Sequence, residues 1–381
     1  MGHPQYEHYL RTSRFESLDG LRCLSILPVI WHHSTPRPLP GILGRGPFGV
    51  DLFFSISGFL ITTLLLRERR TPVSSREHEA PASLETRGYG GHFAGEARGI
   101  SLKNFYLRRT LRIFPLYYAV LALYALRGWL FLPDSPLRDH FFRSLPFYAT
   151  YTPNWFVDFD VPHPVIFGFS WSLAVEEQFY LVWPWVVAKS RGLRAPVVFM
   201  LAAVALDFFA EHGFLAPIVD EAGSTHRVLV GIATPICLGA LVACALHART
   251  SFAIARMVLG RRGSAPILLA ALAVLLAVSG TPLVSIHIVM ALLVAAVCIR
   301  SDHGLARLLN APLLRLVGVV SYGMYLFHVS AITGAKWLLP VEWCTAPMVF
   351  FTATCVTFFA AWASYRFFET PFLSLKNRFR S

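Results

Sequence analysis

Leu18-Asp19-Gly20-Leu21-Arg22-Cys23-Leu24-Ser25-Ile26-Leu27-Pro28-Val29-Ile30-Trp31-His32-His33-Ser34 is the stretch from which the rest of the chain is read. It is apolar enough to enter a bilayer, yet it carries an arginine near its start and two adjacent histidines near its end. A spanning helix tolerates such residues only where they face other protein or a watery cavity, so they are functional candidates. Arg22 and His33 lie eleven residues apart, roughly 16 Å along a helix at about 1.5 Å per residue. That spacing is close to three turns, which puts both side chains on nearly one face. Adjacent helical residues point about 100° apart, so His33 rather than His32 shares the face of Arg22. Pro28 is expected to loosen or kink this helix.

The whole chain agrees with a membrane setting. Of its 381 residues 55% are hydrophobic and 15% charged, against about 25% charged in soluble domains, and the mean hydropathy is +0.53. We therefore expect an all-α, polytopic membrane protein, a single bundle of about ten transmembrane helices. The spans fall near 18–35, 48–66, 110–132, 170–188, 195–210, 226–247, 265–281, 283–300, 312–339 and 345–369. Residues 1–17 form a polar N-terminal segment with no cleavable signal peptide. Residues 18–372 form the membrane domain, and 373–381 a basic tail. The polar stretch 67–102 reads as a mobile cytoplasmic loop.

The net charge of +12 does not point to nucleic acid, because it is dispersed over short loops between apolar runs. With the N-terminus inside, the inner segments hold roughly two dozen of the basic residues and the outer loops about six. Both termini are then cytoplasmic, and the setting is the inner membrane. Five of the six cysteines lie in apolar runs without metal-like spacing, so no metal is expected and they read as small packing residues.

Further polar residues fall inside the apolar runs. Asp51 opens the second span, either orienting His33 or stabilising a helix start. Ser57 and Gly58 read as allowing close helix packing. Arg109 and Arg112, three apart, suit a phosphate clamp or a positive-inside anchor. Glu176 and Glu177 stand in an apolar, aromatic helix behind Trp171, with Glu176 about 9 Å from the outer end. His328 reaches roughly 24 Å up the ninth span, as a structural or a ligand histidine. Arg366 and Glu369 read as an ion pair one turn apart. Two layers follow: Arg22, Arg109 and Arg112 in the cytoplasmic half, and His33, Asp51, Glu176 and His328 in the outer half. The aromatics Tyr148, Tyr151, Trp155 and Phe156 of the outer loop 133–169 could stack on sugar rings or form an interfacial belt.

In order along the chain stand Asp19-Gly20-Leu21-Arg22 with His33, Gly49-Val50-Asp51-Leu52-Phe53-Phe54 with Ser57-Gly58-Phe59, Arg109-x-x-Arg112, Trp171-Ser172-Leu173-x-x-Glu176-Glu177-Gln178-Phe179-Tyr180, Ser321-Tyr322-x-x-Tyr325-Leu326-x-His328 and Tyr365-Arg366-x-x-Glu369-x-Pro371. Together these motifs resemble the acyltransferase-3 family of integral membrane O-acyltransferases, from Leu18 to Pro371. The resemblance implies transfer of an acyl group, usually acetyl, from cytoplasmic acyl-coenzyme A to a hydroxyl, typically on a sugar at or beyond the outer face. It implies His33 as the catalytic histidine, with Asp51 and Glu176 as supports, and Arg22, Arg109 and Arg112 on the donor. His328, Trp171 and Glu177 are expected on the acceptor. The chain stops soon after the last expected span, so the extracytoplasmic esterase-like module of some members is not expected in it. Direct transfer and an acyl-histidine intermediate both remain open. The rival reading is a proton-coupled transporter or flippase, since embedded His, Asp and Glu also suit a proton relay.

Overall fold

The fold is that of a computed structural model, which describes residues 4–35, 39, 41–69, 100–220 and 223–375. Most of the expected loop at 67–102 and most of the expected tail at 373–381 lie outside these residues. The described residues are helical, with no strand among them. In chain order the helices are α1 Pro4–Arg11, α2 Ser17–Ser34, α3 Phe48–Glu68, α4 Leu102–Phe131, α5 Pro136–Ala149, α6 Pro153–Phe156, α7 Trp171–Lys189, α8 Arg194–Glu211, α9 Ser224–Leu229, α10 Thr234–His247, α11 Arg249–Leu259, α12 Ser264–Ala277, α13 Leu283–Ile299, α14 Ala306–Leu309, α15 Pro312–Leu338, α16 Ala346–Ala363 and α17 Thr370–Leu375.

Each stretch expected to span carries a helix, although 226–247 is interrupted between α9 and α10, and the count of about ten spans is not reached. By length and hydropathy, five helices among the described residues can cross a membrane: α3, α4, Thr225–His247, α15 and Ala346–Leu375. A sixth is added if α11 and α12, bent by 74° at their junction, are one span. The other expected spans are helices too short or too polar to meet that measure alone. α2 runs without a break through Pro28, so the expected loosening does not interrupt it.

The two ends of the bundle can be told apart by their contacts. Tyr6 of α1 donates to the His247 carbonyl at the end of α10, at 2.6 Å. Arg67, near the end of α3, donates to the carbonyls of Tyr9 (2.9 Å) and Thr12. Arg69 donates to the Ser190 carbonyl just past α7. The start of α2 and the ends of α3, α7 and α10 therefore share one end of the bundle. The starts of α3, α7, α10 and α13, and the end of α8, lie at the other. The N-terminal segment is tied to the first end, with Tyr6 and Tyr9 buried against Phe252 of α11.

α3 is the central element, 72% buried over its apolar window, whereas Ala346–Leu375 is 22% buried there. An apolar helix that little covered by protein is one that lipid must cover. Close backbone approach holds the centre, as small residues do between membrane helices. Gly58 of α3 and Gly239 of α10 meet reciprocally: a Cβ on either would stand about 2 Å from a carbonyl oxygen of the other helix. At Gly318 of α15 a Cβ would stand 1.9 Å from the Asp19 carbonyl oxygen of α2.

Gly318→Ala is therefore expected to destabilise the protein by at least the roughly 1–3 kcal/mol of an overpacked core, because the clash is with backbone. Gly334→Ala on the same helix, where nothing lies within 4 Å of the added carbon, serves as its control. The thermal midpoint in detergent checks it: the first variant falls and the second stays near wild type.

Candidate active site

A cavity of about 580 Å³ lies between α2, α3, α4, α7 and α15. It is lined by the arginines Arg14, Arg22, Arg109 and Arg112 and the acids Asp19, Glu176 and Glu177, one positive charge in excess. The three expected donor-side arginines do converge. Arg22 and Asp19 share one turn of α2, joined at 3.1 Å, and Asp19 also accepts from Arg14 at 2.6 Å. The i, i+3 spacing on α4 turns Arg109 and Arg112 to the same side. Arg109 is held by Glu176 at 3.4 Å and Glu177 at 4.0 Å, and its guanidinium lies 3.6 Å from the centre of the Tyr180 ring. Arg112 is half-buried and makes no ion pair or hydrogen bond among the described residues. A guanidinium left unpaired in a low-dielectric cavity is a ready site for an anion.

The position of Glu176 differs from expectation. It sits with the arginines, accepting from Ser57 at 2.5 Å and from the Tyr180 hydroxyl, besides facing Arg109. The Arg109 side chain is long enough to climb to it, which the count of residues along α7 did not include. Ser57, expected to serve packing alone, is thus a hydrogen-bond donor. Glu177, expected on the acceptor, lines the same cavity beside Arg109.

His33 stands at the other end of α2, with its ring against that of His328: the centroids are 4.8 Å apart, edge to face. The Nδ1 atom of His33 lies 3.0 Å from the Val29 carbonyl oxygen. A carbonyl can only accept, so Nδ1 carries the proton and Nε2 of the neutral ring keeps its lone pair. His33 is exposed, and His328 is fully buried. His328 bonds the Tyr325 carbonyl through Nδ1 at 2.5 Å and leaves Nε2 unpartnered among the described residues. His328, expected on the acceptor, lines neither this cavity nor the second one described below, and its ring packs on His33. The pair joins the arginine cavity through Tyr325, which lines that cavity, packs on His328 at 5.4 Å and meets Ser172 at 2.6 Å.

Asp51 has a different histidine from the one expected. Its Oδ2 lies 3.2 Å from Nε2 of His287 on α13, and it lines a second cavity of about 620 Å³ together with Trp171. Two other expectations change. Tyr148 and Tyr151 are buried, with Tyr151 stacked on Tyr117 at 4.2 Å, so they serve the core and do not form a sugar platform. Residues 364–369 form a π-helix, whose wider turn separates Arg366 from Glu369. Glu369 instead accepts from Ser364 at 3.3 Å. Arg14, Tyr180 and His287 were not singled out from the sequence. Arg14 precedes the first apolar run, Tyr180 reads as one of many aromatics, and His287 sits alone in an apolar helix.

Comparison with known proteins adds the wider setting. The acyltransferase domain family matches residues 15–366. The peptidoglycan O-acetyltransferase of Listeria monocytogenes is 26% identical over 95% of this chain and 57% of its own length. A candidate peptidoglycan O-acetyltransferase of Bacillus subtilis is 28% identical over 93% of this chain and 54% of its own. A candidate O-acetyltransferase of Staphylococcus aureus is 27% identical over 96% and 58%. The chain thus spans a little over half the length of these relatives, and no solved structure matches it. The family match covers nearly the whole chain, and the chain belongs to the acyltransferase-3 family of acyltransferase domains.

Proposed function

We propose that the protein is an integral membrane O-acetyltransferase, taking an acetyl group from acetyl-coenzyme A and passing it to a hydroxyl of a cell-wall glycan. The observation that carries this reading is Arg112, without an ion pair or hydrogen bond among the described residues, beside Arg22 and Arg109 in a cavity whose wall residue Tyr325 packs on the His33–His328 pair. The excess of positive charge fits the phosphates of an acyl-coenzyme A. The bias of basic residues puts this end of the bundle in the cytoplasm, where such a donor is found. The names of the relatives support acetyl as the group and a peptidoglycan-type sugar as the acceptor.

His33 acts as general base through Nε2, since Nδ1 is held by the Val29 carbonyl. The acceptor O–H gives its proton to that nitrogen, and the oxygen bonds to the acyl carbon. The carbon–sulfur bond of the thioester breaks, and the proton on His33 passes to the departing thiolate. His328 fixes the ring plane of His33. Glu176 and Glu177 hold Arg109, and Asp51 acts on the acceptor side with His287.

The test is acetyl-coenzyme A turnover by the purified protein in nanodiscs, followed as free thiol. Slow thiol release that accelerates with an added soluble glycan is the expected result. A protein that shows no thiol release and does not bind coenzyme A would overturn the donor assignment.

A further inference from the structure

The second cavity has a composition unlike the first. We propose that it is the acceptor site and holds an uncharged sugar ring of a glycan; this rests on the acyltransferase reading above. Its position is the first argument. Asp51 is near the start of α3, Trp171 starts α7, Glu211 ends α8, Thr234 starts α10 and His287 is near the start of α13. All lie at the end of the bundle opposite the entry of α2, away from the arginines. Its rim also adjoins the histidines: Pro47 lines the cavity, and the preceding Gly46 packs on His32 so closely that a Cβ there would lie 2.4 Å from the His32 Cβ.

The second argument is chemical. Asp51, Asp207 and Glu211 face one arginine, Arg227, and one histidine, His287. Carboxylates in excess repel anions and accept hydroxyl protons, which suits an uncharged polyol. Asp207 is 3% exposed, with Oδ2 bonded to the Thr234 hydroxyl at 2.5 Å and Oδ1 lacking any partner among the described residues. His287 has Oδ2 of Asp51 on Nε2 while its buried Nδ1 is likewise unpartnered. Buried polar atoms without partners are costly. Both residues line the cavity, each with a buried, unsatisfied polar atom that a side-chain rotation would offer to a hydroxyl-bearing ligand. Trp171 and Phe159 line the same cavity and stay 38% and 41% exposed, an aromatic edge for the apolar face of a sugar ring.

The experiment uses the full chain in nanodiscs and the soluble tetramer of N-acetylglucosamine as probe, with binding read by saturation-transfer NMR and acetyl-coenzyme A binding read in parallel. Wild type is expected to bind the tetramer. Asp207→Asn keeps the shape and the Thr234 partner but puts an amide donor where the carboxyl offers a second oxygen. It is expected to weaken tetramer binding by about three- to tenfold, the value of one hydrogen bond. Trp171→Ala is expected to weaken it as well, and both variants keep donor affinity. No wild-type binding of the tetramer, wild-type binding by both variants, or equal loss of both ligands would each overturn the assignment. Tetramer binding that depends on Asp207, in a protein that neither binds nor turns over acetyl-coenzyme A, would leave this site standing as a glycan site and sink the donor reading alone.

Discussion

His33→Ala is expected to lower acetyl transfer by about 10²–10⁴-fold, the usual contribution of a positioned general base, with donor affinity essentially unchanged. The separation follows from where the ring stands. His33 is not among the residues lining the arginine cavity, and it reaches that cavity only through His328 and Tyr325. Its loss therefore removes an interaction made in the reaction and none made by the bound donor, so kcat falls and KM for the donor does not. His33 is exposed, so truncation leaves no buried hole and the fold persists. Single-turnover measurement of thiol release, beside equilibrium binding of coenzyme A, checks both halves. A variant that keeps wild-type turnover would remove His33 from the chemistry.

Arg112→Gln is expected to weaken acetyl-coenzyme A binding by roughly 10- to 100-fold, since one charge-assisted contact to a phosphate is lost. Thermal stability is expected to fall only modestly, because the acid that feels its charge, the buried Glu369, is not in ion-pair contact with it. Arg109→Gln is the contrast. It strips the counter-ion from Glu176 and Glu177 and the stacked cation from Tyr180, and losing one side of such a half-buried cluster costs more than losing a guanidinium with no contact partner. That variant is expected to lose its thermal midpoint first and its donor affinity as a consequence. Two arginines three residues apart are thereby assigned different duties, one to the ligand and one to the scaffold, by measuring binding and melting on both variants. Equal melting losses in the two would contradict the assignment.

The chain's own order told some of this and concealed the rest, for definite reasons. The one-face relation of Arg22 to His33, and of Arg109 to Arg112, is a property of a single helix and can be read from spacing. The helical stretches were legible because runs of apolar residues are long. Partners across helices were not. Asp51 and His287 are 236 residues apart, and which histidine an aspartate meets depends on how each helix is rotated about its axis. α3 and α13 are apolar nearly all round, so no polar stripe reveals that rotation. Glu176 was placed by height along α7, but the reach of Arg109 and the aromatic face of Tyr180 decide where its charge is matched. The attachment of α1 through Tyr6, Tyr9 and Arg67 was hidden for a similar reason: eight residues of weakly apolar sequence carry no signal until α11 is set beside them.

Phe54 lines both cavities, is 3% exposed, and meets Trp171 edge-on at 6.2 Å between ring centres. On one side of that ring lie arginines, and on the other carboxylates and a histidine. An energised membrane stores its work as a proton gradient, and a wetted route from one face to the other would discharge it. A single phenyl ring, braced by Trp171, is thus common to the walls of both chambers, and it is part of what keeps the two from being one wetted channel.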